Sequence, residues 1–233
     1  MTDVEVFVDP SCPWAWITSR WMAEVALARD LSLTWRSYCL EIRDDYGVAA
    51  TVPESYRERA LAGHALSHRM LRVFEAARAD SGEGAVDALY TEWGRRFFLG
   101  DRPSPGPSPA VSGASDRDTG RDRGRGDTLL SDIIAGCGLR ADLLGAADDE
   151  KWDAPIAEAM EVAYEFGGPK TQTPTIVVRA PRAYGFKGPV MAPAPKGEAA
   201  LRLWDAITVI AEEPGFFEIT RPRTNPPTPT PLD

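Results

Sequence analysis

The sequence predicts an α/β fold in which a strand–helix–strand opening and a strand–strand–helix close are separated by a large block of helices. Three observations carry this expectation. The first forty residues alternate short β-branched runs with one helical stretch. Residues 53 to 99 then repeat apolar side chains at helical spacing, with no strand-like segment among them. Near the C-terminal end an apolar run, PTIVVRA, is followed by a hairpin candidate and a closing helical pattern. At 233 residues, with 43% hydrophobic and 26% charged side chains, the chain is long enough and apolar enough for a real core.

The elements follow in order. VEVFVD, residues 4 to 9, is β-rich and closed by Pro10, so it reads as a strand. From Pro13 to Arg29 the residues Trp14, Ile17, Trp21, Val25 and Ala28 recur at helical spacing, and proline suits a first helical turn. LSLTWRSYCL, residues 31 to 40, alternates as a second strand. A helical crossover between two such strands is right-handed, which makes the pair parallel. Helices are expected over residues 53 to 79 and 83 to 100. From Gly100 to Asp127 the composition turns to Pro, Gly, Ser, Arg and Asp. Such a segment buries too little to offset its ordering entropy, and a flexible loop is expected there. Helical pattern returns in TLLSDIIAGCGL and in EKWDAPIAEAMEVAYEFG. After the strand PTIVVRA come RAYGFKGPVM, a hairpin partner, and GEAALRLWDAITVIAEE, a final helix. The proline-rich tail from Arg221 reads as extended.

Bulk properties exclude several classes. No apolar run approaches the roughly 18 to 20 residues of a membrane span, so no membrane association is expected. The N-terminus MTDVEVFVDP lacks the basic and apolar regions of a signal peptide, which points to the cytoplasm. Three widely spaced cysteines, Cys12, Cys39 and Cys137, do not suggest a disulfide framework. A net charge of −9 disfavours nucleic acid as a partner. The arginines of DRDTGRDRGRG are nearly cancelled by alternating aspartates.

The chemistry concentrates in DPSCPWAWITSRW, residues 9 to 21. A β-α-β start, a helical block and a β-β-α close is the thioredoxin layout with helices inserted. In that layout a cysteine directly after the first strand caps a helix, whose free N–H groups and dipole favour thiolate. Cys12 is therefore the expected nucleophile, with Pro13, Trp14 and Ala15 around it. Ala15 stands where a C-x-x-C pair would carry its second sulfur. Thr173 and Pro174, before the third strand, match the position of a cis-proline facing the active sulfur.

The chain resembles the DsbA-like thioredoxin-fold family, and within it the mycothiol-dependent nitroreductase group. The similarity runs through DPSCPWAWITSRWMAEVALARDL, YRER, ALYTEWG, TPTIVV, KGPVMAPAPKGEAALRLWDA and FFEITRPRT. The resemblance implies Cys12 as nucleophile, Pro174 as cis-proline and a helical domain closing over the site. It also implies a thioredoxin-like domain of residues 1–43 and 161–233, with a helical insertion of 44–160 holding the loop at about 100–127. Two departures stand out: Ala15 replaces the resolving cysteine, and AMEVAYEFGGPKTQ lacks the histidine pair of the family.

A dithiol cycle needs a second sulfur to resolve the mixed disulfide, and alanine supplies none. Two monothiol routes remain. In the first, the Cys12 thiolate adds reversibly to a conjugated enoyl or polyene group, which rotates and is released as its cis–trans isomer. That route requires no cofactor and is the leading expectation, with a small conjugated substrate, carried in one version on an acyl carrier protein in a biosynthetic pathway. The alternative is a mycothiol-dependent monothiol oxidoreductase of the nitroreductase or disulfide-reductase type. His64 and His68, four residues apart on a predicted helix, share a face and are candidate pocket residues over the thiol. No metal site is expected, because no acid or cysteine at suitable spacing accompanies them. Arg57, Arg59, Arg69, Arg72 and Arg78 give the inserted helices a basic character, where an acidic carrier protein would dock. Cys39 reads as a small buried packing residue, with a displaced resolving thiol as the alternative, and Cys137 as packing alone.

Overall fold

The computed structural model describes residues 1–43, 54–100, 119–179 and 182–229, with side chains defined from Arg57 in the second segment and from Gly124 in the third. Strand β1 (Thr2–Val8) leads through the motif loop into helix α1 (Pro13–Arg29) and returns as β2 (Leu31–Ser37). Helices α2 (Glu54–Ser81), α3 (Glu83–Phe97) and α4 (Thr119–Gly136) follow. Two 3-10 segments, Ala141–Asp148 and Glu150–Trp152, lead into α5 (Asp153–Gly167). Strands β3 (Thr175–Val178) and β4 (Tyr184–Lys187) and helix α6 (Glu198–Ala211) close the fold.

The sheet has the order β2-β1-β3-β4. Strand β1 pairs parallel with β2, Val8 opposite Ser37, and antiparallel with β3, Phe7 opposite Thr175. Strand β4 runs antiparallel to β3, Lys187 opposite Thr175. This topology is the expected thioredoxin-like one, and it has a direct consequence. The C-terminal ends of β1, β2 and β4 and the N-terminal end of β3 all meet at one edge, and the motif cysteine leaves the sheet there.

Helix α1 lies against the sheet because Trp16, Ile17, Trp21, Met22 and Val25 are buried. Its end is set by Asp30, whose left-handed backbone lets its N–H reach the Ala26 carbonyl. The Trp21 indole donates to the Ala200 carbonyl at 3.1 Å, and its ring meets Trp204, which docks α6 on α1. The inserted helices share the core rather than forming a separate one. Met70, Leu71 and Phe74 of α2 and Leu89, Tyr90 and Trp93 of α3 are fully buried in one cluster with β1 and α1.

Several boundaries differ from the sequence expectation. Helix α4 starts at Thr119, inside the segment read as a loop, and residues 101–118 lie outside the described ones. The helix extends back from the buried face of Leu129, Leu130, Ile133 and Ile134, and Arg69 Nη2 donates to Asp127 at 2.6 Å in its middle. Strand β2 ends at Ser37, because the Leu40 N–H turns to the Asp9 side chain, so Cys39 sits in a loop rather than a strand. The boundary expected at residue 160 falls inside the continuous helix α5, whose Ile156, Ala159, Met160 and Ala163 are all buried. Among the described residues no helix is long and apolar enough to cross a membrane.

Candidate active site

Cys12 is the N-cap of α1, with Pro13 in the first helical position. Its N–H donates to the Asp9 carbonyl at 2.9 Å and its carbonyl accepts from Trp16 N–H at 3.1 Å. The Thr173–Pro174 peptide is cis, as expected, and the Cys12 thiol points at the Thr173 carbonyl, 3.8 Å away. The structure thus brings Cys12, Thr173 and Pro174 together. Ala15 is fully buried, so the fourth motif position is sealed from solvent. All three cysteines are free thiols.

The ionisation of Cys12 departs from the expectation. Burial pushes the thiol up to about 12, and the negative field of Asp9 adds to it. The N–H groups of Ala15 and Trp14 and the charge of Arg223 pull the other way and do not prevail. The helix-terminus argument is correct in sign, but desolvation outweighs it here because only 7% of the residue is exposed. Cys39 is likewise buried and pushed up to about 12, again by desolvation first and Asp9 second.

Asp9 is the organising residue that sequence reasoning did not single out. It is fully buried. Its Oδ1 accepts from Ser11 N–H at 2.8 Å, from Ser11 Oγ at 2.6 Å and from Ser67 Oγ at 2.6 Å, while Oδ2 accepts from Leu40 N–H at 2.8 Å. One side chain thereby fixes the motif loop to the loop after β2 and to α2. Its backbone N–H donates to Thr173 Oγ1 at 3.1 Å, and that hydroxyl donates to the Phe7 carbonyl at 3.0 Å. The Trp93 indole clamps the loop from the insertion, donating to the Pro10 carbonyl at 2.7 Å. The signal in the sequence was an acid at the end of an apolar strand, which pattern alone does not separate from a solvent-facing turn residue.

The histidines are placed differently from one another. His64 is buried on α2, next to Gly63, whose Cα hydrogen faces Ser11. No hydrogen bond joins it to Cys12 among the described residues. His68 bridges Glu41 and Asp153, with Nδ1 at 2.7 Å and Nε2 at 2.8 Å. Burial opposes its charge, but the hydrogen bonds to Glu41 and Asp153 outweigh burial and raise its pKa. It acts as an electrostatic tie between α2, α5 and the loop after β2. Ser67, between the two histidines, hydrogen-bonds the motif loop through Ser11 and Asp9. No group of three His, Cys, Asp or Glu side chains suited to a metal occurs among the described residues. The expected basic face is largely neutralised: Arg69 pairs with Asp127 and Asp148, Arg72 with Asp153, and Arg78 with Glu75 and Glu83.

Trp14 carries a further surprise. The C-terminal tail returns to the site and sets the Arg223 guanidinium over the Trp14 ring, 5.1 Å from its centroid. Asn225 Nδ2 donates to the Ala192 carbonyl at 3.0 Å and holds the same tail. An open groove of about 470 Å³ between Ala76, Arg140 and Trp152 belongs to the helical part and contains none of these residues.

Comparison with known proteins agrees with this geometry. A relative from Mycobacterium tuberculosis, described as uncharacterized protein Rv2286c, is 26% identical over 226 residues, covering 96% of this chain and 84% of its own. A probable DsbA oxidoreductase, SCO1869, from Streptomyces coelicolor superposes with a TM-score of 0.55 at 18% identity, over 100% of both chains. The cytosolic disulfide reductase DsbM from Pseudomonas aeruginosa gives 0.52 at 16% identity, over 90% of this chain and 100% of its own. These two establish the DsbA-like thioredoxin fold. The model of the Rv2466c-like family, described as mycothiol-dependent nitroreductase Rv2466c, matches residues 11–106 and 112–221. With that match running from the motif loop through the helical insertion to the closing helix, the chain belongs to the Rv2466c-like family, described as mycothiol-dependent nitroreductase.

Proposed function

We propose that the chain is a monothiol oxidoreductase that uses Cys12 with a low-molecular-weight thiol, mycothiol being the one its family implies. The observation that carries this is Cys12 capping α1 beside Thr173 and cis-Pro174, with a buried alanine where a resolving cysteine would stand. The site suits a cysteine-derived thiol, because the Thr173 carbonyl beside Sγ is an acceptor for an amide N–H of such a molecule.

The electron balance fixes the sequence of steps. The Cys12 thiolate attacks a disulfide, forms a mixed disulfide and releases one thiolate. A small thiol then attacks that mixed disulfide, frees Cys12 and leaves as a disulfide with the retained half of the substrate. A second small thiol reduces that product, so two small thiols are joined as their disulfide for each substrate disulfide fully reduced. With a nitro group as acceptor, the same two thiols supply two electrons and two protons, leaving a nitroso group and water. Asp9 and Ser67 hold the loop rigid throughout, and the N–H groups of Trp14 and Ala15 receive the negative charge on sulfur. A reducing compartment such as the cytoplasm suits this chemistry.

Cis–trans isomerisation of a conjugated substrate is the second reading, favoured by Ala15 alone. One assay separates them. Turnover of a nitroaromatic or disulfide acceptor with mycothiol should consume thiol stoichiometrically and vanish in Cys12→Ser. Ala15→Cys should form an internal disulfide and lower the dependence on added thiol. Thiol-independent conversion of a polyene, with no acceptor reduced under any condition, would overturn the oxidoreductase assignment.

A further inference from the structure

Three cations converge on the sheet edge that carries Cys12. Lys187 ends β4 opposite Thr175, and its Nζ donates to the Gln172 side chain, one residue before the Thr173–Pro174 turn, at 3.3 Å. Arg223 arrives on the tail and lies over Trp14, two residues beyond the thiol. Arg43, in the loop after β2, is buried and donates to the Tyr38 hydroxyl at 2.6 Å, which in turn donates to the Thr171 carbonyl at 2.7 Å. Two of the three, Lys187 and Arg223, make no ion pair with any carboxylate among the described residues. Their fields overlap: burial first, then the charges of Arg223 and Arg43, hold the Lys187 ammonium below the ordinary lysine range. Glu218 is the acidic group that opposes this. In a protein of net charge −9, like charges gathered at the sheet edge that carries Cys12 favour an anion there.

We infer that Lys187 and Arg223, with Arg43 behind them, form an oxyanion subsite that selects acceptor substrates carrying a carboxylate or phosphate group next to the bond attacked by Cys12. Trp14 supplies an apolar wall for the body of the substrate, and the cis-proline turn supplies the backbone edge. The tail is thereby part of the substrate site rather than a trailing segment. This subsite rests on Cys12 being the reacting sulfur.

The test compares alkylation of Cys12 by iodoacetate and by iodoacetamide, resolved by peptide mass spectrometry from Cys39 and Cys137. Arg223 also influences ionisation of the thiol, but that affects both reagents alike and cancels in the ratio of their rate constants. The ratio of anionic to neutral rates should fall about fivefold or more in the Lys187→Gln/Arg223→Gln double variant. In the unaltered protein the ratio should also fall as salt is raised, because the charges are partly exposed. At matched ionic strength, protection by acetate identifies a carboxylate subsite and protection by inorganic phosphate a phosphate one. A ratio unchanged by both the double substitution and salt, or an absence of protection by either anion, overturns the subsite. Reaction with iodoacetamide in that case leaves the role of Cys12 standing, and its failure would strike at the oxidoreductase reading instead.

Discussion

Gly94→Ala is a demanding test of how the insertion grips the motif helix. A Cβ at Gly94 would lie 2.0 Å from Cζ3, 2.2 Å from Cη2 and 2.4 Å from Cε3 of Trp16. The indole has nowhere to retreat. It is fully buried, its edge meets Tyr90 with centroids 5.8 Å apart, Phe98 lies 5.9 Å away, and Arg20 sits 4.3 Å over its face. Overpacking of this kind costs about 1 to 3 kcal/mol, and a contact this short belongs near the upper figure. Alanine recovers about 1 kcal/mol of helix propensity over glycine in the interior of α3. The net expectation is a loss of about 2 kcal/mol, which for a chain of this size lowers the melting temperature by about 4 to 8 °C. Urea titration followed by tryptophan fluorescence measures it. Because the Trp16 N–H bonds to the Cys12 carbonyl, the alkylation rate of Cys12 should change as well. A variant as stable as the parent, with Cys12 reactivity unchanged, would refute the claim that α1 and α3 are locked through this contact.

Two other outcomes follow from the site. Thr173→Val keeps the shape but strands the buried Asp9 N–H, while the Phe7 carbonyl keeps its place opposite Thr175 in the sheet, at a cost of about 1 to 3 kcal/mol by denaturant titration. His68 gives a pH dependence whose sign is fixed. Its folded pKa lies above the ordinary value of about 6.5, so its ion pairs contribute fully below that pH and are lost as pH rises through the folded pKa. The stability difference between parent and His68→Gln should therefore be largest near about pH 6 and shrink toward about pH 9, and a difference that grows with pH would contradict the bridge to Glu41 and Asp153.

Much of the fold was legible because its elements announce themselves locally. Pro13 and the spaced tryptophans mark α1, and the run Ile176–Val177–Val178 marks a strand buried on both faces. Cys12 and Pro174 were legible because their positions relative to strands carry meaning. What escaped is non-local. The Asp9 network joins residues up to 164 apart in sequence, and no window contains both ends. Residues 119–127 look like a loop because glycines, arginines and aspartates make up nearly all of their composition, yet they become helical by extension from the buried face beyond them. The thiol pKa was misjudged for a related reason. A helix terminus is visible in sequence, while the depth of burial that opposes it is a property of the packed whole. Arg223 lay in a tail whose prolines predict extension but not its destination.

The placement of β1 has a consequence for biosynthesis. This strand is synthesised before both of its neighbours yet ends up in the middle of the sheet, flanked by β2 on one side and by β3 on the other. Its second neighbour is translated only after the entire helical block. Until then one edge of β1 lacks its partner, and Cys12 lacks the Thr173 ceiling. The nascent chain therefore carries an uncovered sulfur while the helical block is made, and the cover over Cys12 is complete only once Thr173 and β3 have emerged.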